Sequence, residues 1–312
     1  MSESTGPVLL AYDGSESSAT AIAVAGRLLS GRRALVCHAW TGLTQPVMFG
    51  MLAKLPDALG DAAAELDWEE MREAERTAAE GVRLARAAGF DAEPLLARRE
   101  RKTWRALLEA AEREQTSVIV VGAHGMSGIG RAVLGSVSTA LIHHSRVAIL
   151  VVPATSPEKR NQGPLLLCYD GSKTATRAIS VAGGLFGPRP ALVVHFWESW
   201  VAEAPVLASV SRSVAGMAVE LDEIADEQSS HVADDGVDMA EQSGFQATRL
   251  SERASGPGWM AVGDAADQNA CAAIVVGSRG LTGVSAALGS VSNGVVHNSR
   301  RPVLLVPLGD DE

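Results

Sequence analysis

Several features that would place this chain in other protein classes are scarce or missing. Cysteine occurs three times, as Cys37, Cys168 and Cys271, without a Cys-x-x-Cys pair, so neither a disulfide framework nor a zinc site is indicated. Each cysteine lies in or beside an apolar, strand-like run and is interpreted as a reduced core residue. The net charge is −10, and the sequence contains no run of Lys and Arg. Both features argue against nucleic acid and anionic membranes as the main partners.

Membrane and export segments are also missing. No apolar run approaches the roughly 18 residues that cross a bilayer. The first residues, MSESTGP, contain neither the basic nor the apolar part of a signal peptide. We therefore expect a cytoplasmic protein.

The composition that remains is that of a globular chain. Of its 312 residues, 46% are hydrophobic and 21% are charged, which excludes a mostly disordered protein. This length predicts two domains of about 150 residues, each large enough to bury about two-thirds of its unfolded surface.

An internal repeat spans nearly the whole sequence. The segment VLLAYDGS at 8–15 recurs as LLLCYDGS at 165–172, and LGSVS at 134–138 recurs unchanged at 288–292. Matches that keep this order over a whole half indicate a tandem duplication with short loop deletions. We predict a first domain at 1–155, a polar linker at 156–162 and a second domain at 163–312.

Apolar, β-branched runs alternate with helical patterns in each half. In the first half they predict strands at 8–12, 34–39, 92–97, 117–122 and 147–152, and helices at 16–29, 60–88, 103–114 and 135–144. Continuous apolar runs are typical of parallel strands that are covered on both faces. The fold class is therefore α/β, with two tandem doubly wound domains.

Ligands of open α/β sheets bind beyond the carboxyl ends of the strands, where the strand order reverses. The first strand of each half ends in Asp13 or Asp170, followed by Gly-Ser. Both a ligand contact and an Asp-Gly turn explain this aspartate, and the sequence leaves the two open. Ser15 and Ser172 are predicted to be helix N-caps.

The segment after the fourth strand, GAHGMSGIGRAVLGSVS at 122–138, is rich in glycine and ends at a predicted helix. Free backbone amides in such a loop, together with a helix N-terminus, favour phosphate. Arg131 and the hydroxyls of Ser127, Ser136 and Ser138 would add donors. Neither a Walker A loop nor a Rossmann glycine fingerprint fits, and no Gly-x-Ser-x-Gly elbow occurs.

This arrangement resembles the universal stress protein family, in its tandem, ATP-binding form. The nucleotide signature of that family is Gly-x2-Gly-x9-Gly followed by Ser or Thr, and Gly122, Gly125, Gly135 and Ser136 fit it in full. The resemblance implies Rossmann-like domains, each with a five-stranded parallel sheet of order 3-2-1-4-5 flanked by helices.

The resemblance also implies ATP, with or without Mg²⁺, at the switch point. Asp13 would contact the adenosine, the backbone near Ala39 the adenine edge, and 135–138 the phosphates. The implied residues of the first domain are Ala11, Asp13, Ala39, Gly122, His124, Gly125, Met126, Ser127, Gly128, Arg131, Gly135, Ser136, Val137 and Ser138. Those of the second are Asp170, Phe196, Gly277, Gly280, Gly283, Gly289, Ser290, Val291 and Ser292. His38 and His195 are interpreted as structural, and no catalytic or metal-binding residue is assigned.

The second half departs from the signature. Only eight residues, 281–288, separate Gly280 from Gly289, and no counterpart of Arg131 is present. One missing residue shifts later amides by up to ~3.5 Å, which is enough to lose hydrogen bonds. We therefore expect the first domain to bind nucleotide more tightly, while occupancy of the second site stays open.

The function expected from these observations is that of an ATP-binding regulatory stress-response protein. It is not expected to be an enzyme beyond weak ATP hydrolysis or autophosphorylation. The alternatives are an ATP-independent interaction module with decayed sites and a slow ATPase or nucleotidyl transferase. Pairing of the two domains through their fifth strands, a homodimer and an unidentified regulatory partner are also predicted. The choice among ATP, AMP and a cyclic nucleotide stays open, as does the signal.

Overall fold

The structure is a computed structural model that describes residues 6–41, 57–99, 102–123, 134–154, 163–197, 212–253, 256–278 and 288–309. The chain divides into two compact units, Met1–Ala154 and Thr155–Glu312. They are called unit 1 and unit 2, and each is an alternation of strands and helices. The predicted linker at 156–162 lies outside the described residues.

Unit 1 follows the predicted order of elements, with bounds that differ from the prediction by three residues or fewer. Its strands are β1 (Val8–Ala11), β2 (Arg33–Trp40), β3 (Asp91–Arg98), β4 (Val118–Gly122) and β5 (Ala148–Val152). Its helices are α1 (Glu16–Leu29), α2 (Asp57–Ala87), α3 (Thr103–Arg113) and α4 (Ser136–His144).

The sheet of unit 1 is parallel between all paired strands described, with the order 3-2-1-4-5. The order reverses between β1 and β4, because β2 and β3 lie to one side of β1 and β4 and β5 to the other. This arrangement confirms the predicted fold class. It also places a crevice beyond the carboxyl ends of β1 and β4.

Burial explains why the apolar runs form the centre of the sheet. Every residue of β4 and β5 is buried, and Leu9, Leu10 and Ile119 are fully enclosed. Helix α1 packs against α2, and α3 packs against α4, so the helices cover both faces of these strands. Such two-sided burial requires runs without alternating polar residues.

Unit 2 repeats the architecture. Its strands are β6 (Leu165–Cys168), β7 (Pro190–Trp197), β8 (Gln246–Arg253), β9 (Ala273–Gly277) and β10 (Val303–Val306). Its helices are α5 (Lys173–Phe186), α6 (Arg212–Gln242), α7 (Gly258–Gln268) and α8 (Ser290–Asn298). The parallel pairings again give the order 3-2-1-4-5 when the strands are counted within the unit.

The predicted helix caps are confirmed in both units. The hydroxyl of Ser15 accepts from the backbone N–H of Ser18, and that of Ser172 accepts from Ala175. Each cap satisfies a backbone donor that the first helical turn leaves without a partner. None of the helices in the described ranges combines the length and the apolar character needed to cross a bilayer.

Candidate functional site

Unit 1 contains a cavity of about 600 Å³ beyond the carboxyl ends of its central strands. The ends of β1, β2 and β4, the first turn of α4 and side chains of α2 and α3 form its wall. All of the predicted site residues that the structure describes in this unit line it: Ala11, Asp13, Ala39, Gly122, Gly135, Ser136, Val137 and Ser138. Binding of a ligand by these residues stays a prediction.

Unit 2 contains the corresponding cavity, with a volume of about 820 Å³. Its wall again includes every described site residue predicted for this half: Asp170, Phe196, Gly277, Gly289, Ser290, Val291 and Ser292. The remaining predicted residues lie outside the described ranges: His124, Gly125, Met126, Ser127, Gly128, Arg131, Gly280 and Gly283.

Asp13 and Asp170 serve the turn and also line the cavity. The backbone N–H of Ser15 donates to Asp13 Oδ1 over 3.0 Å, and that of Ser172 donates to Asp170 Oδ1 over the same distance. These bonds form an Asx turn, which fixes the carboxylate at the strand end. The two interpretations of this aspartate are therefore compatible.

The side chain of His38 forms a hydrogen bond with the backbone of Tyr12 where β1 and β2 stop pairing. The backbone N–H of Tyr12 donates to the carbonyl of Cys37 over 3.0 Å, so the backbone groups of Cys37 face β1. Strand geometry turns the groups of Ala39, two residues later, to the same side. There the carbonyl of Tyr12 would accept from the Ala39 N–H if the ladder continued, but His38 Nδ1 lies 2.9 Å from that carbonyl oxygen.

This bond determines the tautomer of His38, and it lies where the β1–β2 ladder ends. A carbonyl only accepts, so Nδ1 carries the proton. The register pairs Trp40 with Arg98, and the Arg99 N–H donates to the Trp40 carbonyl, so β3 uses the groups of Trp40 and not those of Ala39. Among the described residues, nothing takes the N–H and C=O of Ala39, and both face the cavity.

Unit 2 contains the same hydrogen bond from a histidine to the backbone at the end of its first strand. His195 Nδ1 lies 2.9 Å from the Tyr169 carbonyl oxygen, and the Tyr169 N–H donates to the carbonyl of Val194. By the same alternation, the backbone groups of Phe196 face the second cavity. The sequence interpretation of both histidines as structural missed this effect on the neighbouring backbone.

The first turn of α4 supplies a second set of backbone donors. The N–H groups of Ser136, Val137 and Ser138 precede the first helical hydrogen bond, from Thr139 to Gly135, and they have no acceptor within the described part of the chain. Gly135 is the N-cap and offers no side chain to satisfy them. These donors and the helix dipole favour a negative group in this part of the cavity.

The hydroxyl of Ser138 requires a correction. It donates to the carbonyl of Gly122 over 2.8 Å, and Ser292 makes the equivalent bond to Gly277 over 2.6 Å. A hydroxyl has one proton to donate, so the expectation that the Ser138 hydroxyl donates to phosphate is wrong. Its bond instead holds α4 against the end of β4.

Gly122 and Gly277 are required by packing as well as by the cavity. A Cβ at Gly122 would lie 2.5 Å from Ser17 Oγ and 2.8 Å from the Ser17 carbonyl oxygen. A Cβ at Gly277 would lie 2.9 Å from the carbonyl carbon and oxygen of Thr174. In both units, therefore, the first helix crosses the fourth strand at a distance that only glycine permits.

The sequence analysis missed a polar cluster on the wall of the first cavity. Arg99 Nε donates to Thr41 Oγ1 over 2.8 Å, Nη2 donates to the same oxygen, and Nη1 donates to Thr103 Oγ1 over 3.2 Å. All three residues line the cavity, as do Glu70 and Glu73 of α2. The position of Thr41 and Arg99 directly after β2 and β3 was the available signal.

The buried thiols are poor nucleophiles. Burial raises the pKa of Cys37 to about 12 and that of Cys271 to about 11, and it also raises the pKa of Cys168. All three are free cysteines, as the sequence predicts. In the described ranges, His, Cys, Asp and Glu side chains form no group that would hold a metal ion.

Comparison with known proteins identifies the family. A profile of the universal stress protein family matches residues 5–153 and again residues 163–307. The chain belongs to the universal stress protein family. The resemblance that the glycine signature suggested is therefore confirmed, in the tandem form.

Individual members of the universal stress protein family agree with this assignment. A universal stress protein of Mycolicibacterium smegmatis is 28% identical over 214 residues, which is 67% of this chain and 67% of the relative. One from Thermus aquaticus is 34% identical over 148 residues, which is 46% of this chain and 96% of the relative.

A solved structure of the family shares the fold over nearly the whole chain. A universal stress protein from Archaeoglobus fulgidus superposes with a TM-score of 0.61 at 21% identity and covers 97% of this chain and 98% of its own. A further structure is described as a universal stress protein in complex with cAMP; it is 24% identical, covers 47% of this chain and 96% of its own, and has a TM-score of 0.34.

Proposed function

We propose that this protein is a regulatory stress-response protein that binds an adenine nucleotide, ATP in the first instance, in the cavity of unit 1. The observation that carries the proposal is the pair of backbone groups of Ala39, which the His38–Tyr12 bond leaves facing the cavity. An adenine edge presents a ring nitrogen that accepts beside an amino group that donates. This edge is complementary to one N–H and one C=O on the same side of a strand.

The phosphates are proposed to lie at the other end of the cavity, against α4. The free N–H groups of Ser136, Val137 and Ser138 point to this end, and a helix N-terminus favours an anion. The base end lies over β2, and α4 follows β4 on the far side of β1. A nucleotide would therefore extend across the point where the strand order reverses, as in other doubly wound folds.

Nucleotide binding is proposed to regulate the protein without efficient turnover. Phosphoryl transfer requires metal ligands and a group that positions the nucleophile beside the phosphates. Glu70 and Glu73 line the cavity, but they lie on α2, which packs against β2 and β3, at the base end. This separation supports a bound effector, with hydrolysis weak at most.

The same site is proposed in unit 2, where Asp170, the backbone of Phe196 and the first turn of α8 repeat the arrangement. The shorter glycine segment of this half supports the hypothesis of weaker phosphate binding. A cytoplasmic location, a homodimer, pairing of the two units through their fifth strands and a protein partner belong to the same proposal.

Native mass spectrometry of the full-length protein after gentle purification tests the proposal, with chromatography of the nucleotide released on denaturation. We expect one or two ATP per chain. Asp13→Ala should lose the ATP of unit 1, and Asp170→Ala should lose the second ATP where two are bound. Competition with GTP tests the choice of adenine. If no nucleotide is released and millimolar Mg-ATP produces no mass shift, the protein is an ATP-independent interaction module and the proposal is wrong.

A further inference from the structure

A tryptophan of unit 2 packs into the space that the missing side chain of a glycine leaves on the next helix. This space is called the notch. Trp259 lies in the first turn of α7 and contacts Gly294 of α8. A Cβ at Gly294 would lie 2.5 Å from Trp259 Cδ1 and 2.6 Å from Trp259 Cβ. Any other residue at position 294 would therefore displace the indole.

The corresponding tryptophan of unit 1 contacts a different position of its last helix. The contact position of each tryptophan is called its seat. The LGSVS repeats align Gly294 with Ala140 and Asn298 with His144, while Trp259 aligns with Trp104. The ring of Trp104 stacks on His144, with a centroid distance of 4.6 Å and an interplanar angle of 13°. Unit 2 thus has the notch and lacks the histidine, and unit 1 has the histidine and lacks the notch.

The two seats differ by one helical turn. Gly294 lies four residues closer to the N-terminus of its helix than Asn298, which corresponds to about 6 Å along the axis. Trp259 therefore contacts α8 one turn closer to the N-terminus of the helix than the position that aligns with His144. Trp259 lines the second cavity, whereas Trp104 is not among the described residues that line the first.

Several apolar side chains line the second cavity together with Trp259. Val262, Pro257 and Val291 line the same wall, and the Val291 side chain is 39% exposed. In unit 1, the polar cluster of Arg99, Thr41 and Thr103 occupies the corresponding wall. Aromatic faces and aliphatic side chains bind planar rings by stacking and dispersion, and such contacts do not depend on charge.

We propose that Trp259 is a ligand-binding residue of unit 2 on which the base of the bound nucleotide stacks. Unit 2 then recognises the aromatic ring of its ligand more strongly than the phosphates, in contrast with unit 1. The inference rests on the proposed nucleotide binding and adds the group that determines ligand preference in the second cavity.

Fluorine NMR of the full-length chain labelled with 5-fluorotryptophan provides a site-specific readout. The chain has six tryptophans, and single Trp→Phe variants assign the six signals. Titration with adenosine, which has a base but no phosphate, is expected to shift the Trp259 signal in a saturable way through the ring current of the base. The Trp104 signal should stay in place, and ribose 5-phosphate should leave the Trp259 signal unchanged.

A variant that gives unit 2 the contact residues of unit 1 tests whether the position of the Trp259 ring matters, and not only its presence. In Gly294→Ala/Asn298→His the tryptophan is kept but is expected to move to the seat seen in unit 1. This variant and Trp259→Leu should both weaken adenosine binding in unit 2 about ten-fold. Trp104→Leu is the matched control and should leave both affinities unchanged. Thermal unfolding of each variant verifies that it is folded.

Two results would overturn the inference, and they are distinguishable. If calorimetry shows Asp170-dependent nucleotide binding while the Trp259 signal does not move and the variants bind normally, the stacking role is wrong and the proposed function stands. If neither adenosine nor Mg-ATP binds unit 2, nucleotide binding itself fails there, and the stacking role fails with it.

Discussion

Among the described residues, the two cavities share their backbone frame and differ in one wall. In both, a histidine takes the carbonyl that would continue the strand ladder, an aspartate forms the turn after the first strand, and a serine ties the last helix to the fourth strand. The wall at the start of the third helix of the unit contains the polar cluster of Arg99, Thr41 and Thr103 in unit 1 and Trp259 in unit 2.

This difference indicates which parts of a duplicated site are free to diverge. The shared features satisfy backbone groups or permit close packing, so their loss would cost stability in either unit. The side chains that differ between the two walls, Arg99, Thr41 and Thr103 in unit 1 and Trp259 in unit 2, are only half-buried and are not part of either core. At the unit 2 positions that align with Thr41, Arg99 and Thr103, the sequence has Glu198, Ala254 and Gly258. We expect divergence there to change ligand preference while leaving the fold intact.

The largest expected effect tests the shared frame. Gly122→Ala and Gly277→Ala each place a Cβ less than 3 Å from backbone atoms of the first helix, so each should lower the free energy of unfolding by about 3 kcal/mol. Gly263→Ala in α7 is the matched control, since a Cβ there meets nothing within 4 Å, and it should be neutral or slightly stabilising. Urea unfolding measures all three. Equal behaviour of the three variants would show that close packing is not the reason for these glycines.

The next effect concerns the polar wall. Arg99→Ala should weaken nucleotide binding in unit 1 about ten-fold, because hydrogen bonds from a charged donor contribute about 1.5–3 kcal/mol, and it should leave unit 2 unchanged. Arg105→Ala removes an arginine that lies over the Trp104 ring and serves as the control. Calorimetric titration with Mg-ATP measures both. A loss of similar size in the two variants would mean that the effect is one of general charge and not of the cluster.

A smaller effect, equal in the two units, is expected from the histidines. In His38→Ala the Tyr12 carbonyl is released and is expected to accept from the Ala39 N–H, which lowers nucleotide affinity in unit 1 about five-fold. His195→Ala should do the same in unit 2 through Phe196. Titration by native mass spectrometry gives both affinities, and the ¹⁵N-resolved shift of the Ala39 amide reports the new bond. If affinity falls without a change in that amide, the histidine acts by direct contact.

The smallest effect separates the two units by pH. Cys37 of unit 1 aligns with Val194 of unit 2, and burial raises its pKa from 9.0 to about 12. The unfolded chain ionises this thiol first, so stability falls as pH rises from about 9 toward 12, by about 0.4 kcal/mol already between pH 8 and 9. Cys37→Val should remove this part of the pH dependence. Urea unfolding at both pH values measures it, and an unchanged slope in the variant would contradict the assignment.

Much of the frame could be predicted from local sequence. The apolar runs located both ends of each strand of unit 1 to within one residue, and the serines after Asp-Gly predicted the caps of α1 and α5. Asp13 and Gly135 were also predicted correctly to lie at the switch point. These features depend on side-chain burial and backbone geometry over a few residues, which a single sequence displays directly.

The rest required contacts between distant segments. Arg99 meets Thr41 only because β2 and β3 are neighbours, and Trp259 meets Gly294 only because α7 packs on α8. The sequence predicts the Ser138 hydroxyl as a phosphate donor, whereas in the structure it donates to the carbonyl of Gly122. No local pattern distinguishes a serine that faces a ligand from one that closes a backbone hydrogen bond.

The sequence alone determined the duplication, the α/β class and the position of the candidate site, because periodicity and repeats record how each segment is buried. Only the tertiary structure decided that His38 and His195 leave a backbone edge open. It also decided that the equivalent tryptophans take different seats. Each of these two features depends on contacts between segments that are distant in the sequence. Such contacts exist only when the strands and helices are packed together.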